Sequence, residues 1–350
     1  MKKLILFLIV IGLFLSSSTT SSARDPKWGG LDPVVVTPDG KSVITGGDNR
    51  VLYVVDANTF EVKKRHWFKA RIGTMTFNKD NSLLIIEDDD ENLHYLKPDT
   101  FELVRNVKKV ENIVPHKASD TLAGTQGTWS QKEIVLLSMT DASQKGKIVL
   151  PKDTKPSCYN FSPDGTKLIL LTERVKGDEP KKSYSEIPKD LRGIDRDEFQ
   201  QKNDGNVSKL YFYEVPSGKE LKSFDLWYSS SGGKILVQGE EVTIINYSND
   251  NVKIAADGTA KMFETKNMGY GMAVSPDQKS FILGSLRSGT YVKNNGAVNL
   301  EFSLDNLPGW PEYYAGFIIL EDGTAYGTTS AYRLIKLDAN AQIVKSAPIY

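Results

Sequence analysis

Cysteine is nearly absent from this sequence. Cys158 is the single cysteine in 350 residues, which excludes any disulfide within the chain. It lies in the apolar stretch "SCYNFSP", where a free cysteine is expected to be a small buried side chain. A chain of this length buries roughly three quarters of its unfolded surface on folding, so its stability is expected to come from a large core.

The chain also lacks an excess of charge of either sign. Lysine plus arginine number 44, and aspartate plus glutamate number 44. A protein that binds nucleic acid or an anionic membrane surface usually carries a surplus of positive charge. The balance gives no reason to expect either, and we predict no nucleic-acid partner.

Residue patterns that mark catalytic or metal sites are scarce. The three histidines, His66, His94 and His116, lack the i, i+4 spacing of helical zinc sites. No Gly-x-Ser-x-Gly elbow occurs, and "GSLRSG" at 284–289 lacks the lysine of a phosphate-binding loop. The acidic run "EDDDE" at 87–91 lacks the glycine and spacing of a calcium-binding EF-hand loop. We therefore predict no catalytic residues, no bound metal and no cofactor.

The first residues have the pattern of a signal peptide. Residues 1–23 contain two lysines, an apolar run over Leu4–Leu15 and a polar stretch that ends with small residues at Ser21 and Ala23. The apolar run is shorter than the roughly 20 residues that a membrane-spanning helix needs. We predict cleavage before Arg24 and a secreted or periplasmic chain that is not membrane-embedded after cleavage.

A turn followed by an apolar strand recurs along the chain. It appears as "TPDGKSVI" at 37–44, "NFSPDGTKLILL" at 160–171, "SPDQKSFIL" at 275–283 and "EDGTAYG" at 321–327. Proline sets φ near −65° at the second turn position, and glycine supplies the positive φ that a hairpin turn needs. The apolar residues that follow suit a buried β-strand.

The spacing of these turns predicts the architecture. Successive turns are 40–45 residues apart, except for one interval of 68 residues, when they are aligned on Asp39, Asp80, Asp120, Asp164, Gly232, Asp277 and Asp322. A period of this length is typical of a four-stranded propeller blade. We predict an all-β fold for residues 24–350, a seven-bladed β-propeller of four-stranded antiparallel blades.

One repeat resembles a known family. The stretch "VITGGDNRVLYVVDANTFEVKKR" at 43–65 resembles the YVTN-type repeat of bacterial surface and periplasmic propellers and, more loosely, WD40 repeats. The Gly-His and Trp-Asp pairs of WD40 units are absent. The resemblance implies a superfamily of binding scaffolds, lactonase-like enzymes and the propeller chains of quinoprotein amine dehydrogenases. It therefore implies a fold, and function has to be argued from a site.

An insertion explains the long interval. Residues 174–206, between the second and third strands of blade four, carry charges of both signs and two prolines. The stretch "IDRDEFQQ" is expected to form one or two helical turns, with Asp195 or Asp197 near its start. This composition is consistent with a functional segment and equally with a solvent-exposed loop that the fold merely tolerates.

Aromatic residues provide the candidate site. Trp28, Trp67 and Trp310 lie 11, 13 and 12 residues before the aligned turns of blades one, two and seven, which are neighbours in a closed ring. The predicted partner-binding set, all on one face of the propeller, is Trp28, Trp67, Trp129, Trp310, Tyr313, Tyr314 and Arg287. Such a surface suits a flat or amphipathic ligand.

A structural interpretation of the tryptophans is also open. Trp28, Trp67 and Trp310 share a position in the connections that enter their blades. A large side chain at this position is also expected to pack as a wedge between neighbouring blades, whatever its chemistry. Three other blades have lysine or threonine at the equivalent positions, whereas a required wedge should recur.

Two alternative hypotheses for the function are consistent with this sequence. The first is an exported binding or scaffold propeller that recognises a protein or saccharide partner through one face. The alternative is a propeller enzyme or redox subunit similar to the amine dehydrogenase propeller chains. Acids, histidines or arginines converging around a deep central pocket favour an enzyme, and a broad aromatic surface favours binding.

Overall fold

The protein is a ring of seven four-stranded antiparallel sheets. The computed structural model describes residues 30–128, 132–152, 154–173, 175–176, 187–227, 233–248, 250–305 and 312–349. The all-β, seven-bladed prediction is confirmed. Among the described residues, no helix is long and apolar enough to cross a membrane.

Each blade takes its four main strands from one continuous stretch of chain. Blades one to three are formed by β1–β4 (Leu31–Val36, Ser42–Gly47, Val51–Asp56, Val62–Trp67), β5–β8 (Ile72–Phe77, Leu84–Asp88, Asn92–Leu96, Leu103–Lys108) and β9–β12 (Glu111–His116, Thr121–Gly127, Lys132–Ser138, Gln144–Val149). Blade four is formed by β13 (Pro156–Phe161), β14 (Lys167–Thr172), β16 (Asn206–Glu214) and β17 (Glu220–Leu226), with the short strand β15 (Val175–Lys176) paired to β16. Blades five to seven are formed by β18–β21 (Gly233–Gln238, Glu241–Asn246, Asp250–Ile254, Ala260–Glu264), β22–β25 (Gly271–Val274, Phe281–Gly284, Ser288–Lys293, Val298–Ser303) and β26–β29 (Tyr314–Ile319, Ala325–Thr329, Arg333–Leu337, Ile343–Pro348).

The core lies in layers between successive blades. Second strands are covered on both faces, and in β14 the four residues 168–171 are completely buried. One such layer joins Leu170 of blade four to Leu136 of blade three, and another joins Ile169 to Ile244 of blade five. Burial on both faces explains why these strands are continuous apolar runs. The outermost strand β4 instead alternates between half-buried and exposed residues.

The predicted turn chemistry is present in three of the quoted repeats. Gly40, Gly165 and Gly323 have φ of 69°, 71° and 82°, which glycine adopts without strain. Asp164 stabilises its turn by accepting hydrogen bonds from the Ser162 hydroxyl (2.6 Å) and the backbone N–H of Thr166 (3.0 Å). The Pro-Asp-Gly sequence therefore stabilises its own turn through contacts between residues of that turn.

The alignment of blade five on Gly232 was wrong. Its first strand, β18, begins at Gly233, and the turn to β19 contains Gly239, with φ of 64°. Gly232 itself lies outside the described residues. Blade five has no Pro-Asp-Gly sequence, so the glycine pair 232–233, where β18 begins, was mistaken for the turn.

Packing between blades one and seven closes the ring. The Thr328 hydroxyl of blade seven donates a 2.6 Å hydrogen bond to the backbone carbonyl of Asp32 in β1, and the Tyr326 hydroxyl donates one of 3.4 Å to the carbonyl of Ala57. No strand is exchanged between these blades among the described residues.

The described part of the blade-four insertion contains a helix longer than predicted. Helix α1 spans Gly193–Asp204, twelve residues instead of one or two turns. Asp195 lies in its first turn, but the N-cap position is occupied by Arg192, whose side chain makes no capping hydrogen bond. The helix contacts β16 of its own blade and β21, the outermost strand of blade five. The rest of the insertion, at 174 and 177–186, lies outside the described residues.

Candidate functional site: the mouth of the central channel

The blade topology divides the loops between two faces. Because the strands of each blade are antiparallel and in sequential order, the inter-blade connections and the second-to-third strand loops share one face, called here the connection face. The Pro-Asp-Gly turns lie on the opposite, turn face. The first strand of each blade is innermost and borders the central channel.

A cavity of about 530 Å³ opens at the connection-face end of this channel. Its polar and aromatic lining comes from blades one, two, five, six and seven, and includes Asp32, Asp48, Arg71, Lys234, Tyr247, Tyr270 and Tyr313. This volume lies within the range of small-molecule sites. We call it the mouth cavity.

Arg71 organises the charged wall of the mouth cavity. Its guanidinium contacts the carboxylates of Asp48 and, at 3.3 Å, Asp32. Its backbone N–H donates to a carboxylate oxygen of Asp89 at 3.1 Å. Arg71 lies in the connection that enters β5, so these contacts join blades one and two beside the channel.

The position of Asp32 makes its carboxyl group easier to protonate. Burial in the concave mouth raises the pKa of Asp32 from 3.8 to about 6. The negative charge of Asp48 also raises this pKa, whereas the positive charges of Arg71 and Lys234 lower it. A third of the side chain (34%) still contacts solvent. The cavity therefore contains an accessible carboxyl group whose charge changes near pH 6.

Tyrosines from three successive blades form the other wall. Tyr247 and Tyr270 are about half exposed (49% and 51%). The ring centroids of Tyr270 and Tyr313 are 5.8 Å apart, and their planes are inclined at 52°. The backbone N–H of Gly269 donates to the carbonyl of Tyr247 at 3.0 Å, which links the loops of blades five and six. Aromatic faces of this kind are the usual binding surfaces for flat or amphipathic groups.

A glutamine bridges three blades at the opposite end of the channel. Gln278 lies in the turn of blade six, in the position that glycine occupies in the other Pro-Asp-Gly turns, and has φ of 57°. Its side-chain oxygen accepts the N–H of Val237 in blade five at 2.8 Å. Its side-chain nitrogen donates to the carbonyl of Phe161 in blade four at 2.9 Å. These two bonds offset the left-handed backbone, which costs a non-glycine residue about 1 kcal/mol or more.

Replacing Gln278 with glycine should therefore destabilise the fold, although glycine is the better turn residue. We expect Gln278→Gly to lower the free energy of unfolding by about 1–2 kcal/mol, because the buried N–H of Val237 loses its partner. Asn81 has φ of 62° in the equivalent turn of blade two, so Asn81→Gly is a matched control expected to remain within about 0.5 kcal/mol of the wild type. Urea denaturation measures both; equal effects would contradict the bridging role.

Three of the predicted site residues, Trp28, Trp129 and Trp310, lie outside the described residues. Trp67 is the last residue of β4, an outermost strand, and is 67% exposed. It is therefore not a wedge between blades. In four blades the residue directly after the outer strand fills that position instead and is buried: Phe68, Leu150, Leu304 and Ile349. In blade two the buried residue is Val110, two residues after β8.

The structure separates the three remaining predicted residues. Tyr313 lines the mouth cavity. Tyr314, its neighbour, is completely buried between blades six and seven, with ring centroids 5.4 Å from Phe302 and 5.2 Å from Phe317, so it packs in the core and not on the surface. Arg287 lies in the loop between β23 and β24 on the connection face, with φ of 60°, and its carbonyl accepts the N–H of the residue after β25.

Most residues that line the cavity were not predicted, because the candidate residues were chosen by the positions of the tryptophans. Asp32 and Tyr270 each lie seven residues before the aligned turn of their blade, and Arg71 and Tyr313 lie nine residues before theirs. The start of each first strand was therefore the informative position. Aligning the repeats there, with all polar and aromatic residues included, would have found these four side chains.

The acidic run at 87–91 is divided between separate structural contacts. Glu87 accepts the backbone N–H groups of Asn112 (2.5 Å) and Ile113 (3.1 Å), which joins blade two to blade three. Asp88 contacts Nε2 of His94 at 2.7 Å. Within the described ranges, no three or more histidine, cysteine, aspartate or glutamate side chains are grouped as metal ligands.

Cys158 is buried in the layer between blades four and five, as expected for a small apolar side chain. Burial raises the pKa of its thiol from 9.0 to about 12. A thiol that stays protonated at neutral pH is a poor nucleophile, so this cysteine acts as a packing residue.

Comparison with known proteins shows the fold and goes no further. No protein-family model and no curated protein matches this chain. Among solved structures, it is similar to Kuenenia stuttgartiensis hydrazine synthase, with a TM-score of 0.61 and 13% sequence identity over 91% of this chain and 96% of that one. The YVTN or WD40-like repeat assignment remains a prediction. What the comparison and the sheet topology together establish is a seven-bladed β-propeller.

Proposed function

We propose that this protein is a binding propeller that recognises a protein or saccharide partner through its connection face. The observation that carries this proposal is the mouth cavity, in which aromatic rings from three blades face a charged wall around Arg71. Tyrosine and arginine contribute strongly to binding energy, because they combine a large contact area with directed hydrogen bonds. A propeller holds such side chains on seven rigid blades, so little ordering is needed on binding.

Export is part of this proposal and rests on the sequence of residues 1–23. The two lysines, the short apolar run and the small residues before Arg24 support a cleaved signal peptide. The partner is then a molecule of the periplasm, the cell surface or the surrounding medium.

One observation favours the alternative, a propeller enzyme or redox subunit. Asp32 is an accessible carboxyl group with a pKa of about 6, which suits a general acid or base near neutral pH. Carboxylate chemistry of this type usually needs a second, unengaged group on the other side of the substrate. The nearest candidate, Asp48, is paired with Arg71. We therefore place the enzyme second.

A capture experiment tests the binding proposal. The protein, immobilised after expression from the full-length sequence, is exposed to native envelope extract and culture medium, and bound proteins and glycans are quantified. We expect Tyr247→Ala/Tyr270→Ala to lose a partner that the wild type retains. The control, Leu103→Ala/Val344→Ala, removes two equally exposed side chains from outermost strands and should retain it. Equal capture by all three, or by none, would contradict the proposal.

A further inference from the structure

We infer that the mouth cavity is a subsite for a neutral sugar ring, a free saccharide or the end of a glycan. This inference rests on the proposed binding function and names its ligand class. It follows from the charge balance of the cavity, its tyrosine wall and the kinds of hydrogen-bonding group that face it.

The charge of the cavity argues against a strongly charged ligand. Arg71 and Lys234 oppose Asp32 and Asp48, so the four groups sum to zero when all are ionised. A site for phosphate or another polyanion usually has a surplus of cations. A site for an organic ammonium group usually has acidic side chains that are not already neutralised by cations. Here the arginine and both acids are already paired with one another.

The tyrosine wall suits the apolar side of a sugar ring. A pyranose presents C–H groups on one face and hydroxyls around its edge, so it packs its face against an aromatic ring while its edge stays polar. Tyr247 and Tyr270 leave about half of their surface exposed at this wall. Tyr313 lies beside Tyr270 and widens it across two blades.

The facing wall suits the hydroxyl edge of the same ring. A sugar hydroxyl both donates and accepts, and therefore needs acceptors and donors close together. Asp32 offers a partly exposed acceptor on this wall, and the guanidinium of Arg71 offers donors. Lys234, which lines the cavity from blade five and is close enough to lower the pKa of Asp32, offers a further donor. A hydrocarbon group would displace solvent from these charged side chains without offering a hydrogen bond in return, which is costly.

The size of the cavity favours a saccharide over a protein partner. Its volume of about 530 Å³ is within the range for small ligands. A stable protein interface buries roughly 800 Å² on each partner and extends well beyond one cavity. A sugar engages the two walls described here without further contacts.

Calorimetric titration tests the inference. The purified protein, expressed from the full-length sequence, is titrated with neutral trisaccharides (cellotriose, maltotriose, mannotriose and tri-N-acetylchitotriose), with trigalacturonic acid as an anionic arm and with trialanine as a peptide arm. We expect at least one neutral trisaccharide to bind with a dissociation constant between about 10 µM and about 1 mM, a normal range for a small polar ligand. The anionic and peptide arms are expected not to bind.

Variants at one position separate stacking from folding. Tyr270→Ala removes the ring and should weaken sugar binding by about tenfold, whereas Tyr270→Phe keeps the ring and should change it by less than about threefold. Leu103→Ala, on an outermost strand of blade two, should have no effect. Thermal melting curves show that each variant is folded.

Three outcomes overturn the inference: no neutral sugar binds, only the anionic or peptide arm binds, or the sugar binds equally well to Tyr270→Ala. None of them decides the proposed function, because the capture experiment tests that independently. A partner lost by the tyrosine variant, together with a failed sugar titration, would leave the binding propeller standing and reject the saccharide.

Discussion

Glu312→Gln is expected to lower the free energy of unfolding by about 3 kcal/mol or more, although Glu312 is not among the residues that line the mouth cavity. Glu312 and Arg333 form an ion pair in blade seven, and both are almost completely buried. Removing the charge of Glu312 leaves the buried Arg333 with only the exposed carboxylate of Asp305 as a counter-charge. Breaking a buried ion pair by removing one partner typically costs about 3–5 kcal/mol.

The geometry of this pair supports a large effect. Arg333 donates from Nε and Nη2 to the two carboxylate oxygens of Glu312, each at 2.9 Å, and the Thr329 hydroxyl donates to the same carboxylate at 2.6 Å. Burial alone would lower the pKa of Arg333, but its bonds to Glu312 and Asp305 outweigh burial and raise the pKa. Arg333 thus remains charged, and its charge has to be matched.

Asp305 provides the control, because it binds the same arginine from the surface. Its carboxylate accepts from Nη1 of Arg333 at 2.9 Å, but its side chain is 79% exposed. Asp305→Asn should cost less than about 1 kcal/mol. Glu312→Gln/Arg333→Met removes both buried charges and should recover part of the loss. Urea denaturation measures all three; similar losses for Asp305→Asn and Glu312→Gln would contradict the argument.

The fold was predictable because its signals are local. A Pro-Asp-Gly turn specifies its own backbone angles, and the apolar strand beside it is buried wherever a neighbouring blade packs on it. The one misalignment, at Gly232, arose where the local signal was missing. In blade five the turn uses Gly239 without proline or aspartate, while the glycines at the start of β18 had the composition of a turn.

The candidate site was less predictable because its residues meet only in the closed ring. Asp32 and Arg71 are 39 residues apart in sequence, and Lys234 approaches the same cavity from blade five. The contacts of Gln278 could not be predicted for the same reason. Its departure from glycine is visible in "SPDQKSF", but one of its partners, Phe161, is 117 residues away. The local sequence shows that glutamine is unusual at this turn position, but it does not identify the residues with which the side chain forms hydrogen bonds.

Ring closure depends on a glycine, and the second large effect is expected there. Gly316 lies in β26, the first strand of blade seven, against β1 of blade one. A Cβ atom at this position would lie 1.9 Å from the backbone oxygen of Asp32 and 3.1 Å from the hydroxyl oxygen of Thr328. Backbone cannot rotate away as a flexible side chain does, so blades one and seven would have to separate.

We therefore expect Gly316→Ala to lower the free energy of unfolding by about 2–3 kcal/mol. Gly73 in blade two is a matched control, since it lines the same cavity on a first strand and its added Cβ would meet nothing closer than a carbonyl oxygen at 3.4 Å. Gly73→Ala should change stability by less than about 1 kcal/mol.

Urea denaturation measures the loss of stability in each variant, and hydrogen exchange shows which strands lose protection. If Gly316→Ala opens the ring, amide protection falls first in β1 and β26. Protection lost evenly over all blades would mean that closure at Asp32 is not the weak point, and that the mouth cavity does not depend on it.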